Sequence, residues 1–169
     1  MKKLLIFCVI AATFWACKDE APVRYTTTSA EIDQVKAMIS EYEKADWEAW
    51  MSHFADTAEV FQNSVNSVSA AEALTAHKAG LANVSDYGFR KDDQFTEMIL
   101  DDLGDTWVYF WGTWEGTLSA NGMKLEVPVH LAFQFEDNKV VKEHGFWDNH
   151  PMQVAVSEAM AASETEGDK

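Results

Sequence analysis

The chain has only two cysteines in 169 residues, Cys8 and Cys17, and 13 lysines and arginines against 28 aspartates and glutamates. A net charge of −15 repels phosphate backbones and anionic head groups, so neither nucleic acid nor a bare lipid surface is an expected partner. The longest apolar stretch, Leu4 to Ala16, has 13 residues, too few to span a bilayer as a helix. Glycine-rich phosphate loops, HExxH pairs, nucleophile elbows and CxxC motifs are also missing, which removes several enzyme classes without naming another. No cofactor is expected.

The apolar stretch follows Met1-Lys2-Lys3, a basic start, and the two together read as a secretory signal. It ends at Ala16-Cys17, which resembles the cleavage box of bacterial lipoproteins, with Cys17 as the lipidated residue. Removing residues 1–16, and with them Lys2 and Lys3, takes the charge from −15 to −17 and leaves 153 residues, one domain's length. One cysteine then remains, so an intramolecular disulfide is excluded. Lys18-Asp19-Glu20 resembles the signal that sends some Gram-negative lipoproteins to the outer face of the outer membrane; the alternative is a solvated charged linker. Residues 17–30 thus read as lipid anchor and tether, 31–154 as the domain, and 155–169 as a flexible acidic tail.

Within the domain, Ile32, Val35, Met38, Ile39 and Tyr42 follow the helical period, predicting a helix from about Glu31. Asp46 is placed as N-cap of a second helix that continues through Trp47, Trp50 and Phe54. Glu59 to Gln62 reads as a short strand. Ser69 and Glu72 form a capping box that opens a third helix, which ends before a turn-rich stretch from Asn83 to Gly88. The period then changes to two, predicting strands at Phe95–Leu100, Thr106–Leu118, Lys124–Glu136 and Val140–Asp148. Asn121-Gly122 is the stronger hairpin signal and Asp137-Asn138 the weaker. Helices followed by a meander of long antiparallel strands imply an α+β domain.

A two-residue turn at Asn121-Gly122 places Thr113 opposite His130 and Trp114 opposite Val129. The inner face then carries Val108, Phe110, Gly112 and Trp114 beside Val129, Leu131, Phe133 and Phe135, joined by Val141, Glu143, Gly145 and Trp147. Trp107, Tyr109, Trp111, His130, His144 and Phe146 share the outer face. That face is more apolar than a solvated one and is a candidate surface for a homodimer.

FADTAEVF, a capped helix, and strands containing WGTWEG and VHLAFQFEDNKVVKEHGFW resemble the SnoaL-like polyketide cyclase and ketosteroid isomerase branch of the nuclear transport factor 2-like superfamily, over about Glu31 to Pro151. The resemblance implies a cone of curved sheet closed by helices around a deep apolar pocket, often dimeric through the outer sheet face. The family's catalytic positions fall on residues that cannot do its chemistry. The isomerases' general base falls on Gln62, their tyrosine donor near Met38, their pocket acid, four residues before Phe135, on Leu131, and the cyclases' histidine on Trp114. Proton transfer at carbon needs an ionisable group of tuned pKa, so this reading expects neither family reaction.

The remaining polar groups give alternatives. Glu143 on the inner face would serve as acid or base if buried without a cation, and would be an ordinary carboxylate if it lies at the rim of the cone. His130 and His144 lie on adjoining strands and would be directly opposed if the last turn carries one bulged residue. A metal is not expected there, because it would need a third or fourth ligand and only Asp148 and His150 are near in sequence. His53 and His77 read as surface groups. The tryptophans are explained first by packing.

The sequence therefore predicts a lipid-anchored, extracytoplasmic domain whose cavity is lined by Met38, Gln62, Phe110, Trp114, Leu131, Phe133 and Trp147 and binds a small hydrophobic molecule. Two alternatives stand beside it. One is an acid–base enzyme using Glu143, or His130 with His144; the other is a structural dimer of the envelope.

Overall fold

A computed structural model describes residues 23–167. The signal segment, Cys17 and the Lys18-Asp19-Glu20 motif lie outside the described residues. The strands are β1 (Tyr25–Thr26), β2 (Phe54–Gln62), β3 (Val68–Ser69), β4 (Val84–Phe89), β5 (Phe95–Leu100), β6 (Thr106–Leu118), β7 (Lys124–Glu136) and β8 (Lys139–Trp147). The helices are α1 (Ala30–Glu43), α2 (Trp47–Ser52), α3 (Ala70–Leu81) and α4 (His150–Gly167). All strands join one sheet in the order β1-β5-β6-β7-β8-β2-β3, with β4 also on β6. Among the described residues, only the β2–β8 pair is parallel. The α+β fold expected from the sequence is present, with the helices packed in a curved, unclosed sheet.

The long strands β6, β7 and β8 form the wall of the cone. On its inner side Val108, Phe110, Phe133, Phe135 and Val140 pack with Ile32, Val35, Met38 and Ile39 of α1, all buried. Each such side chain contributes roughly 1.5–3 kcal/mol on leaving water. Ser29 caps α1 by accepting from Ile32 N, and the capping box of Ser69 and Glu72 opens α3 as expected.

Several local expectations are corrected. The β6–β7 hairpin pairs Thr113 with Pro128 and Trp114 with Val127, two residues away from the expected register, because Ser119–Met123 forms a longer loop. Within that loop Leu118 N donates to Met123 O, and only Gly122 takes a left-handed backbone, at φ 71°. A slip of two preserves the faces. The tight two-residue turn is instead at Asp137-Asn138, with φ of 47° and 60°. A bulge follows it, between the pairs Gln134–Lys142 and Phe135–Val140, so that Val140 rather than Val141 enters the core.

The second helix stops at Ser52, and Phe54 begins β2, because Val140 N bonds to His53 O and Phe54 pairs alongside Val140. The stretch read as turn-rich, Asn83 to Gly88, contains β4, which occupies the half of the β6 edge that β5 leaves free. Part of the expected tether is also ordered: β1 pairs with β5, and Arg24 bonds to Leu100 O and Asp102. The C-terminal stretch read as a flexible tail is helical to Gly167, with Met152, Ala155 and Val156 of α4 turned to the core.

Candidate functional site

A cavity of about 370 Å³ lies between the helices α1, α2 and α3, the inner face of β6–β8 and the start of α4, with Gln62 of β2 and Phe89 of β4 completing its lining. Of the seven residues expected to line it, Met38, Gln62, Trp114, Leu131, Phe133 and Trp147 do. Phe110 does not; it is buried in the core on the inner face, edge-on to Phe89 with ring centroids 5.0 Å apart.

Two tryptophans are shaped by neighbouring glycines. The Trp114 ring lies over Gly116, on the same face two residues along β6, so close that an added Cβ would overlap it. Trp147 lies over Gly145 in the same way, where a Cβ would come within 2.5 Å of the ring. The glycines of WGTWEG and EHGFW thus let both indoles lie down along the sheet. Asn63 fixes the end of β8 by bonding to both backbone groups of Trp147, and the Trp147 indole donates to Asn149.

Glu143 is the ionisable group that this wall supplies. It lies on β8 opposite Phe133 and beside Val60 of β2, is only 3% exposed, and its Oε2 has no hydrogen-bond partner. The loss of water raises its carboxyl to about 7, against the ordinary 4.5. It is a buried wall residue and not a rim carboxylate. The indole N–H of Trp114 is also buried without a partner. Burial raises the Tyr42 hydroxyl far above its ordinary range, and the Trp114 indole offsets part of that rise.

His77, read as a surface residue, belongs to the site. It lines the cavity from α3, packs edge-on against Tyr42 and Trp50, and its Nε2 is 3.0 Å from Gln62 Nε2. Gln62 Nε2 only donates, so the histidine nitrogen accepts, and burial pushes its pKa down to about 4. His77 is therefore neutral at physiological pH. A signal for it was available: Ala70, Ala73, Leu74, His77 and Leu81 keep one helical stripe, and only the polar flanks of His77 argued otherwise. His53, also read as a surface group, is mostly buried and bonds Glu41 at 2.9 Å.

His130 and His144 are not in the cavity. Both are on the outer face, where His130 stacks on Trp111 at 3.8 Å and His144 on Phe61 at 4.5 Å. The bulge pairs His130 with Phe146 and His144 with Ala132, so the two histidines are not directly opposed. Partial burial lowers the pKa of each. Among the described residues, no cluster of three or more metal-ligating side chains is present.

Comparison with known proteins supports this architecture. No curated protein matches the chain by sequence. Among solved structures, AclR, a candidate hydroxylase from Streptomyces galilaeus, is 17% identical with a TM-score of 0.62, covering 76% of this chain and 96% of its own. A candidate SnoaL-like polyketide cyclase from Jannaschia sp. CCS1 is 16% identical with a TM-score of 0.62, covering 83% and 98%. A protein with a ketosteroid isomerase-like fold from Catenulispora acidiphila, solved in complex with trimethylamine, is 13% identical with a TM-score of 0.53, covering 70% and 86%. These likenesses establish the fold. Residues 35–143 match the SnoaL-like domain, and the chain belongs to that family.

Proposed function

We propose that this domain binds one small, largely apolar molecule in its cavity and presents Glu143 to it as the polar contact. The observation that carries this reading is the buried Glu143 carboxyl, with Oε2 unpartnered, in the wall of a cavity of about 370 Å³. Natural interiors rarely leave such a group unsatisfied, and one that lines a cavity marks a candidate functional site. The test is thermal melting of protein starting at Lys18 against a panel of hydrophobic metabolites, with Trp114→Ala and Glu143→Gln beside it. A ligand of the native state raises the melting temperature by mass action. A shift lost in Trp114→Ala supports the reading; a shift unchanged in both variants places binding elsewhere.

A second reading, proton transfer on that ligand, is favoured by the burial of Glu143, which raises its carboxyl to about 7. A carbon-bound proton beside a carbonyl would pass to the carboxylate while the bonding electrons move to the carbonyl oxygen. The reaction would use Glu143 on β8 in place of the family positions that here are Gln62, Met38, Leu131 and Trp114. Exchange of the ligand's carbon-bound hydrogen with deuterated solvent, abolished in Glu143→Gln, is the expected result; binding without exchange supports a non-catalytic module.

We also propose that the domain acts outside the cytoplasm, held by lipid on Cys17 at the outer membrane, and pairs through its outer sheet face. The support for export is the Leu4–Ala16 run ending at Cys17. Cys17→Ser should move the protein from the membrane fraction to the soluble one.

A further inference from the structure

We propose that the cavity's occupant is an organic cation, an amine or quaternary ammonium group on a small apolar body, held by the Glu143 carboxylate and the surrounding ring faces. This rests on the reading of the cavity as a ligand site and goes on to assign the ligand's charge.

Among the described residues, the lining contains no lysine or arginine. Its titratable groups are Tyr42 from α1, His77 from α3, Glu143 from β8 and Asp148 just beyond it. Tyr42 keeps its proton and His77 is neutral, so the only charges this wall can carry at neutral pH are negative. An anionic ligand would meet carboxylates and no cation. A neutral apolar ligand would leave the Glu143 carboxylate buried and unpaired, which is costly. A cation satisfies that carboxylate directly.

The rings complete the case. Tyr42, Trp50, Phe89, Trp114, Phe133 and Trp147 all line the cavity. Aromatic faces carry the negative lobe of the ring quadrupole, and cation–π contacts strengthen when desolvated. An acid without a basic partner inside an aromatic wall is therefore matched to a positive guest. Binding is linked to protonation: a permanent cation must displace the Glu143 proton, so its affinity is full above about pH 7 and falls about tenfold for each pH unit below that.

The experiment compares benzyltrimethylammonium with neopentylbenzene, its neutral carbon isostere. Dissociation constants come from quenching of intrinsic tryptophan fluorescence in 0.5 M NaCl, which screens the acidic surface but not the cavity. At pH 8 the cation is expected to bind at least tenfold more tightly than the isostere, with that preference lost at pH 5.5 and in Glu143→Gln. Equal or tighter binding of the isostere at pH 8 would overturn the assignment of charge while leaving the cavity as a ligand site. A cation preference that persists in Glu143→Gln would overturn the role of the carboxylate. Binding of neither probe would remove this inference and the reading beneath it together.

Discussion

At the scale of single residues, Glu143 sets the pH dependence of the molecule. Its folded pKa of about 7 lies above the unfolded 4.5, so the native state holds the proton more strongly between these values. The resulting cost to stability is absent below about pH 4.5, grows as pH rises to 7, and is complete above that, on the order of 3 kcal/mol. Glu143→Gln is therefore expected to be more stable than the parent at pH 8 and to lose that advantage at pH 4, measured as urea unfolding free energy at each pH. Gly116→Ala acts oppositely, because its methyl group meets the buried Trp114 ring. It should destabilise by about 1–3 kcal/mol in the same measurement. Most pocket residues were legible in the sequence because period-2 alternation fixes which side of a strand faces in. His77 was not, since its polar neighbours masked its position on the apolar stripe of α3, and the burial of Glu143 depended on β2 covering β8, a parallel pairing that local pattern does not encode.

At the scale of elements, local rules held where one segment decides its own conformation and failed where a distant segment decides. The capping box at Ser69 is self-contained, and α3 starts where it predicts. The end of α1 is equally local: Asp46 N reaches back to Glu41 O and Ala45 N to Tyr42 O, which forces Ala45 to φ 55°. An alanine is strained there and glycine is not. Ala45→Gly is expected to raise unfolding free energy by about 0.5–1 kcal/mol, and a loss of stability would show that the turn is held for another reason. By contrast, β4 reads as turn from its own Ser, Asp and Gly, and becomes a strand because half of the β6 edge is open to it. Hairpin registers were misjudged for a related reason: Asn121-Gly122 has the better turn composition, yet the tight turn formed at Asp137-Asn138.

At the scale of the whole molecule, charge and shape pull in different directions. Trp111 is 47% exposed and Phe146 52% exposed on the outer face, an apolar surface that would suit a second copy, while the full chain carries −15. Association through this face should thus increase with ionic strength as repulsion is screened. Sedimentation of the parent at low and high salt, beside Trp111→Glu with Phe146→Glu, should show a salt-promoted dimer that the double variant cannot form; a monomer in all conditions would contradict that surface's role. The concave side bears the central claim, that an apolar cavity presents an ionisable carboxyl to its guest. The measurement that tests it most directly is a pH titration of the Glu143 carboxyl carbon by NMR, with and without saturating benzyltrimethylammonium. The expected midpoint is near 7 in the free protein and moves down when the cation fills the cavity; a midpoint near 4.5, unmoved by the cation, would contradict the claim.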